Sequence, residues 1–230
     1  MSNPVHTMFS RIAGRYDRAN RWISFGLDQR VRRQAVALSG ARPGDAVLDC
    51  AAGTGDLTLA FHAALGGQGR FLGTDFNEDM LAVARSKAAQ SAPEIQWQTE
   101  DAMALSLDDG SFDVVSIAYG IRNVIEPERA LADMYRVLKP GGRLVVVEFG
   151  QPSAWVRPFY LLFNRIFVPV VGGLAGGDRA AFRYLQETSD AFPCGQAFVA
   201  MLNRSAAWQH VQTRPVLFGV NYIYVATRPA

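Results

Sequence analysis

Short apolar runs alternate with amphipathic stretches along most of the chain from residue 44 onward. The run over residues 46–50 ends in a loop of small residues, and apolar positions with helical spacing follow it. This pattern predicts a strand, a turn and a helix. The same alternation then repeats, with predicted strands over 70–74, 95–99, 112–118 and 143–149 and predicted helices over 77–89 and 127–138. Strands that alternate with helices in this way predict a parallel α/β sheet.

The pattern changes after residue 149. Residues 155–174 carry five aromatic side chains with little regular period, and a glycine-rich run over 172–177 follows, so we predict an inserted apolar helix and a flexible loop. The elements predicted after them are a helix over 196–206 and strands over 208–213 and 217–227. A tight connection at residues 214–215 between the two late strands predicts an antiparallel hairpin that closes the sheet.

The composition is that of a globular chain able to form its own core. The 230 residues are 49% hydrophobic and 19% charged, which excludes disorder, fibrous repeats and small disulfide-rich scaffolds. Cys50 and Cys194 have no metal-ligand spacing, so we expect no metal site, no disulfide framework and a reducing compartment. We identify no secretory signal and no uninterrupted apolar run of about 20 residues, and therefore expect a cytoplasmic protein.

Charge is nearly balanced over the whole chain but not along it. The net charge of +2 is too small to indicate a nucleic-acid partner. Residues 1–33, however, contain seven arginines against two aspartates. This segment is either a solvated helix face or a surface for anionic lipid headgroups at the inner membrane face, and the sequence leaves both open.

A loop of small residues over 49–56 follows the first predicted strand. In an open α/β sheet a ligand binds at the carboxyl ends of the strands, and the small residues Ala51, Gly53 and Gly55 would let it approach the backbone. The spacing lacks the third glycine of a dinucleotide fingerprint, because Thr58 stands there. No Gly-Lys-Ser/Thr sequence of a phosphate-binding loop follows either. The loop alone is equally consistent with a tight structural turn.

Carboxylates stand at the ends of three successive predicted strands. Asp49 ends the first, Asp75 ends the second, and Asp101 follows the third. A carboxylate at the position of Asp75 can accept hydrogen bonds from ribose hydroxyls, although each of the three alone could be a helix cap. Together they suit an adenosine without phosphates, and the negative charge of Asp49 suits the cationic groups of S-adenosylmethionine.

The sequence resembles the ubiquinone/menaquinone biosynthesis C-methyltransferases, a family of class I S-adenosylmethionine-dependent methyltransferases, over nearly its whole length. The glycine loop is shared by many methyltransferases, whereas the Tyr-Asp-x-x-Asn opening and the Gly-Ile-Arg-Asn-Val run are more selective. The segments that carry the resemblance are 9–17 with Asn20, 24–26, 47–56, 120–124 and 135–148.

The resemblance implies a single domain over residues 1–230, with a Rossmann-like, mostly parallel seven-stranded sheet, a C-terminal antiparallel hairpin and helices on both faces. Residues 1–40 would form a helical cap whose segment around Tyr16 covers the cofactor. Residues 150–190 would form an apolar insertion that shapes the pocket for a prenyl tail, unless this insertion simply packs on the sheet. The S-adenosylmethionine contacts implied by the resemblance are Thr54, Asp75, Asp101 and Ala102.

Several positions depart from the usual pattern of the family. Ala19 stands where methionine is usual, Asp28 where histidine is usual and Val31 where tryptophan is usual. Ala118 and Gly150 each stand where serine is usual. The C-terminal strand also lacks a customary histidine. These departures concern the acceptor more than the cofactor, so the quinone and the length of its tail stay open.

Methylation of a quinol ring carbon requires a nucleophilic ring, and loss of a hydroxyl proton activates it. A phenol with a pKa of about 10 is mostly protonated at neutral pH. We therefore assign Arg122 the role of stabilising and orienting the phenolate, with a structural Arg–carboxylate pair as the alternative. Candidates for accepting the proton, directly or through a water, are Tyr16, Asp17 and Tyr119, and Asn123 belongs to the same motif as Arg122.

Two other functions stay open. The same enzyme class could act on a soluble phenolic or polyketide metabolite, which the departures from the family pattern favour. The chain could also keep the fold and the cofactor as a catalytically silent partner, which the intact motif residues argue against. We expect a prenylated quinol as a partner and no nucleic acid. An exposed aromatic patch would suit contact with membrane lipid or with a second copy of the chain.

Overall fold

The computed structural model describes residues 4–162, Tyr184 and residues 187–230. In these residues, seven strands form one sheet, with helices between several of them. The strands are β1 (Ala46–Cys50), β2 (Arg70–Asp75), β3 (Gln96–Thr99), β4 (Phe112–Ala118), β5 (Leu138–Phe149), β6 (Gln209–Val216) and β7 (Asn221–Thr227). The helices discussed below are α1 (Pro4–Ser24), α2 (Leu27–Ser39), α3 (Asp56–Ala64), α4 (Glu78–Ala88), α5 (Pro127–Val137) and α6 (Gln196–Ser205).

The strand order is β3-β2-β1-β4-β5-β7-β6. Strands β1 to β5 pair in parallel, whereas β7 is antiparallel to both β5 and β6. Because the strand order reverses between β1 and β4, a crevice for a ligand is expected beyond their carboxyl ends. The predicted mostly parallel sheet with a C-terminal antiparallel hairpin is confirmed.

Helices cover both faces of this sheet. Successive residues of a strand point to opposite faces. Leu48 of β1 accordingly packs in a cluster with residues of α5 and α6, whereas Val47 packs in a second cluster with residues of α2 and α3. Every residue of β1 is buried, as expected for a central strand of a parallel sheet.

The start of β5 differs from the prediction. Helix α5 ends at Val137, and residues 139–142, which lie between the predicted helix and the predicted strand, already belong to β5. Gly141 has a φ of +76° and donates its N–H to the carbonyl of Arg228 at 3.0 Å. The pairing of β4 with β5 shifts register nearby. The glycines therefore permit an irregular beginning of the strand.

The predicted hairpin connection at Arg214 and Pro215 is wrong, because both residues belong to β6. The chain turns instead at Leu217–Gly219, where Phe218 has a φ of +59°, so β7 begins later than predicted. Strand β6 lies at the edge of the sheet. An edge strand tolerates proline because one of its sides has no partner strand to which an N–H must donate.

Helices α1 and α2 pack against α4 and α3, respectively. Residues 157–162 are helical, in agreement with the start of the predicted apolar insertion. The rest of that predicted helix and the glycine-rich run at 172–177 lie outside the described residues. Within the described ranges, no helix combines the length and the apolar character needed to cross a membrane.

Candidate functional site

A cavity of about 230 Å³ lies at the carboxyl ends of β1, β2 and β4, and Phe9 and Tyr16 of α1 form part of its wall. Asp17, Gly55 and Arg122 are predicted site residues that do not line it. The predicted residues that do line it are Tyr16, Asp49, Ala51, Gly53, Thr54, Asp75, Asp101, Ala102, Tyr119 and Asn123. The fold thus brings together most of the positions that the motifs indicated.

The loop between β1 and α3 is held against the end of β2. Ala51 and Gly53 both have positive φ, of +47° and +58°. The N–H of Ala52 donates to the carbonyl of Thr74 at 2.8 Å, and the N–H of Gly53 donates to the Asp75 carboxylate at 2.8 Å. These bonds fix the backbone of the loop at the wall of the cavity.

Gly55 serves the packing behind this loop. Its φ is +81°, and a Cβ at this position would lie 2.4 Å from Cη2 of Trp97 and 3.1 Å from Cβ of Ala84. Trp97 also covers Gly73, where an added Cβ would lie 2.3 Å from Cζ3 of the indole. The two glycines therefore let one tryptophan pack against both β2 and the loop.

Asp49 is buried at the end of β1. Its carboxylate accepts hydrogen bonds from the hydroxyls of Thr58 and Ser116, each at 2.7 Å. Burial raises the pKa of Asp49 to about 6, although both hydrogen bonds and the charge of Arg32 act in the opposite direction. At neutral pH Asp49 therefore presents a negative charge at the cavity wall.

Two further carboxylates line the cavity at the ends of β2 and β3. Asp75 accepts the N–H of Gly53 with Oδ2 and the N–H of Asn77 with Oδ1, both at 2.8 Å. Asp101 accepts the N–H of Met103 at 2.9 Å. Asn77 is also the N-cap of α4. Backbone donors thus orient both carboxylates beside the cavity.

Lys87 of α4 joins α1 to the loop, a contact that the sequence analysis missed. Its Nζ lies 2.6 Å from Oδ2 of Asp17 and also contacts the carboxylate of Asp56. The hydroxyl of Thr54 donates to the other oxygen of Asp17. Both oxygens of Asp17 are therefore engaged, which places this residue in a contact between elements and not at the cavity wall.

Arg32 of α2 is a second cation that the sequence analysis did not single out. It is buried, lines the cavity and donates to Asp28 at 2.7 Å. Burial lowers its pKa, but the negative charges of Asp56 and Asp28 help to outweigh this effect, so the pKa is raised. Asp28, a departure from the family pattern, is thus the partner of a buried arginine. The i, i+4 spacing of the two residues was the available signal.

Arg122 forms a buried ion pair with Glu148, the arrangement that the sequence analysis kept as the alternative. Its Nη1 donates to Oε1 of Glu148 at 2.7 Å and to the carbonyl of Tyr119 at 2.6 Å. In the described part of the chain, Nε of Arg122 and Oε2 of Glu148 have no hydrogen-bond partner. The pair therefore keeps one unused donor and one unused acceptor.

Tyr119 and Asn123 form the part of the wall that follows β4. The hydroxyl of Tyr119 donates to Oδ1 of Asn221 at 2.9 Å, and its ring packs against Phe149 with the centroids 4.7 Å apart. Burial raises the pKa of Tyr119. The side-chain oxygen of Asn123 accepts a hydrogen bond from Tyr184 at 3.2 Å.

Solved structures share this architecture. An S-adenosylmethionine-dependent methyltransferase of Thermotoga maritima superposes with a TM-score of 0.65 at 20% identity, over 96% of this chain and 98% of that one. Phosphoethanolamine N-methyltransferase 2 of Haemonchus contortus, in complex with S-adenosyl-L-methionine, superposes with a TM-score of 0.66 at 14% identity, over 92% of this chain and 56% of that one. These similarities confirm the predicted class I methyltransferase fold.

Curated relatives are similar over almost their whole length. The ubiquinone/menaquinone biosynthesis C-methyltransferase UbiE of Bdellovibrio bacteriovorus is 40% identical, with 97% of this chain and 95% of the relative covered. The demethylmenaquinone methyltransferase of Thermus thermophilus is 45% identical, with 96% of this chain and 100% of the relative covered. The model of the ubiE/COQ5 methyltransferase family matches residues 1–228. The chain therefore belongs to the ubiE/COQ5 methyltransferase family, as its motifs predicted.

Proposed function

We propose that this protein methylates a ring carbon of a prenylated quinol in quinone biosynthesis, with S-adenosylmethionine as the methyl donor. The observation that carries the proposal is the whole-length similarity to relatives named for ubiquinone/menaquinone biosynthesis and for demethylmenaquinone methylation. Membership of the family confirms the predicted enzyme class, a methyltransferase.

The donor set of the cavity supports S-adenosylmethionine. Bound there, S-adenosylmethionine supplies an electrophilic methyl group on a positively charged sulfur. The ionised carboxylate of Asp49 favours a cationic ligand, and Asp75 stands where a carboxylate can accept ribose hydroxyls. Asp101 and Ala102 extend this wall, while Ala51, Gly53 and Thr54 leave backbone accessible at the cavity. We assign these residues to donor binding and Gly55 to the packing behind them.

On the acceptor side, Tyr119, Asn123 and Arg122 form one turn. The guanidinium of Arg122 is held by Glu148 and the Tyr119 carbonyl, which fixes its orientation behind the wall formed by Tyr119 and Asn123. We propose that its positive charge stabilises a phenolate from this position without itself moving a proton. The neighbouring hydroxyl of Tyr184 and amide of Asn123 can help to position the ring.

We propose that a water takes the phenol proton, with Tyr16 as the polar side chain beside it. Asp17 is a poor acceptor, because both of its oxygens are engaged by Thr54 and Lys87. Tyr119 is also a poor acceptor, because burial disfavours its ionised form. With the ring activated, the chain's remaining contribution is alignment of the acceptor carbon with the methyl group.

We further propose that residues 1–230 act as one domain, with residues 1–40 as the cap over the donor and 150–190 as the border of the acceptor pocket. Phe9 and Tyr16 support the cap, because both reach the cavity from α1. A closed cap separates the reacting groups from bulk solvent, apart from the water that takes the phenol proton. The apolar residues that begin the insertion suit a prenyl tail.

Peripheral contact with anionic lipid fits the turn between α1 and α2. Trp22 in the last turn of α1 and Phe25 just after this helix are 65% and 68% exposed. Arg21, next to Trp22, and Arg18, one helical turn earlier, are exposed as well. Exposed aromatics combined with arginines are typical of residues that lie at a membrane interface. We therefore propose that the protein acts at the inner membrane face, where a prenylated acceptor resides. A homodimer stays a prediction.

The proposal is tested by incubating purified protein with reductant, labelled S-adenosylmethionine and either a short-tailed demethylmenaquinol or a matching ubiquinol precursor. Mass spectrometry should then find the label on a ring carbon of one or both quinols. Parallel incubations replace the quinol by small phenols, and label on these alone would favour the soluble phenolic or polyketide acceptor. Donor binding without turnover on any acceptor would favour the catalytically silent partner.

A further inference from the structure

We propose that Lys87 is a positioning residue that holds α1 closed over the donor cavity and so sets the affinity and residence time of the methyl donor. The inference rests on the proposed function, because it takes S-adenosylmethionine as the ligand of this cavity. It assigns a role to a residue that lies outside the cavity wall and touches neither reactant.

Lys87 lies where three separate elements meet. Its ammonium donates to Asp17 of α1 at 2.6 Å, contacts Asp56 at the start of α3, and lies 3.5 Å from the hydroxyl of Thr54 in the loop. Thr54 in turn donates to Asp17. One side chain of α4 therefore connects the cap, the loop and the following helix.

The charges make this contact more than a surface ion pair. The side chains of Lys87, Asp17 and Asp56 are 28%, 26% and 13% exposed, so water screens them only in part. Asp17 and Asp56 carry like charges and approach the same ammonium. Removing the ammonium would leave Asp17 without this counter-charge and beside Asp56, which keeps Arg32 at 4.0 Å and Gln29 as partners. The repulsion between the two carboxylates then favours separation of cap and loop.

The position of Asp17 in the cap explains why this separation would reach the ligand. Tyr16, the preceding residue, lines the cavity, and so does Phe9. A separate polar contact joins Ser10 of α1 to Asn77, whose amide donates to the hydroxyl at 2.9 Å. Without Lys87, the half of α1 that carries Tyr16 would keep the hydrogen bond from Thr54 to Asp17 but would lose its ion pair to α4.

A lid that opens more readily releases its ligand faster. We therefore expect Lys87→Met to weaken S-adenosylmethionine binding by about tenfold, the change expected for loss of one charge-assisted hydrogen bond, mainly through faster dissociation. Turnover at saturating donor should stay within about twofold, because no group at the cavity wall is replaced and bound donor favours the closed cap. Lys87→Arg should restore most of the affinity.

Arg85→Met is the matched control. Arg85 lies on the same helix and pairs with Glu78, but these side chains are 41% and 59% exposed and neither lines the cavity. Titration calorimetry and stopped-flow dissociation of the donor, without any quinol, would compare the variants, and trypsin cleavage within α1 would report its opening. Lys87→Gln replaces Lys87→Met if the latter does not fold.

Unchanged donor affinity in Lys87→Met, or in Lys87→Gln where it replaces Lys87→Met, would overturn the inference, as would an equal loss in Arg85→Met. A wild-type protein that does not bind S-adenosylmethionine would instead overturn the proposed function. Weaker binding together with faster cleavage of α1, both reversed in Lys87→Arg, is the result that supports Lys87 as the residue holding the cap.

Discussion

Glu148 at the end of β5 neutralises Arg122 inside the protein. The Nη1 of Arg122 and Oε1 of Glu148 are 2.7 Å apart, and each side chain is only 2% exposed. Burial raises the pKa of Glu148, although the charge of Arg122 and the hydrogen bonds to the carboxylate counteract this effect. The pair is therefore part of the core as well as a neighbour of the residues proposed to hold the acceptor.

Arg122→Ala should lower the free energy of unfolding by about 3–5 kcal/mol, because it leaves the carboxylate of Glu148 buried without a counter-charge. Replacing both residues together by leucine should recover most of this loss, since an apolar pair leaves no buried charge. Urea denaturation of the wild type, of Arg122→Ala and of the double variant measures these changes. A double variant as unstable as Arg122→Ala would contradict the explanation.

The same variants separate stability from catalysis. If Arg122 stabilises the phenolate, the folded double variant should bind S-adenosylmethionine within a few-fold of the wild type but lose most of its turnover. The comparison uses calorimetry for the donor and mass spectrometry for the methylated quinol. Turnover close to that of the wild type would remove Arg122 from the mechanism.

Asp49 predicts how donor binding depends on pH. Its pKa of about 6 means that the carboxylate is ionised above this pH, the form that favours a cationic ligand, so affinity should fall as the pH decreases through 6. Thr58→Val removes a hydrogen bond that stabilises the ionised form and should move the midpoint to a higher pH. Asp49→Asn should bind weakly at every pH. Calorimetry between pH 5 and 8 measures these affinities. A wild-type affinity that does not change with pH would contradict the prediction.

The stability of the free protein should have the opposite pH dependence. The pKa of Asp49 is higher in the folded chain than in an unfolded one, where it is about 3.9, so over this interval the folded state binds more protons. Stability should therefore fall as the pH rises from about 4 to 6 and then level off with respect to this group. Urea denaturation measures the stability of the wild type and of Asp49→Asn as a function of pH. The difference between the two profiles isolates the contribution of Asp49.

Gly55→Ala should destabilise the protein by about 2–4 kcal/mol. The substitution combines a positive φ of +81° with a Cβ 2.4 Å from the indole of Trp97, and strain and overpacking each cost about 1–2 kcal/mol. Gly14→Ala is the control, because this position of α1 has no atom within 4 Å of an added Cβ and alanine favours a helix. Thermal unfolding of both variants tests the difference, and equal midpoints would exclude the packing role.

The lipid contact can be tested with two equally exposed tryptophans. Trp22 and Trp155 are 65% and 66% exposed, but only Trp22 lies among the N-terminal arginines. Trp22→Ala should reduce sedimentation with vesicles rich in phosphatidylglycerol by several-fold. The double variant Arg18→Gln/Arg21→Gln should also reduce it by several-fold, because each basic residue contributes about 1 kcal/mol. Trp155→Ala should change it little. Equal binding to neutral and anionic vesicles would argue against this surface.

The central strands were predictable because their burial leaves a direct trace in the sequence. β1 and β4 have the predicted bounds, since central strands covered on both faces appear as short continuous apolar runs. At the edge of the sheet this signal weakens. Arg214 and Pro215 suggested a turn, yet an edge strand can hold them, and only the pairing of β6 with β7 decides between the two.

The cavity wall was largely predictable for a related reason. The carboxyl ends of parallel strands converge, so Asp49, Asp75 and Asp101 had to lie near one another once the strands were identified. The contacts of Lys87 could not be found in this way, because it lies 70 positions from Asp17 in the chain. The direction in which Arg122 points also depends on Glu148, a partner contributed by a different strand.

The two bonds accepted by Asp75 bear on any attempt to redesign this protein for an altered donor. Because the same carboxylate fixes the backbone at Gly53 and at Asn77, replacing it would change the shape of two loops at once, and a loss of affinity could not be attributed to a missing ligand contact. Phe76 and Ile125 also line the cavity, and both are exposed side chains. They are the positions at which an engineer could enlarge the site for a bulkier donor analogue while leaving the backbone of both loops in place.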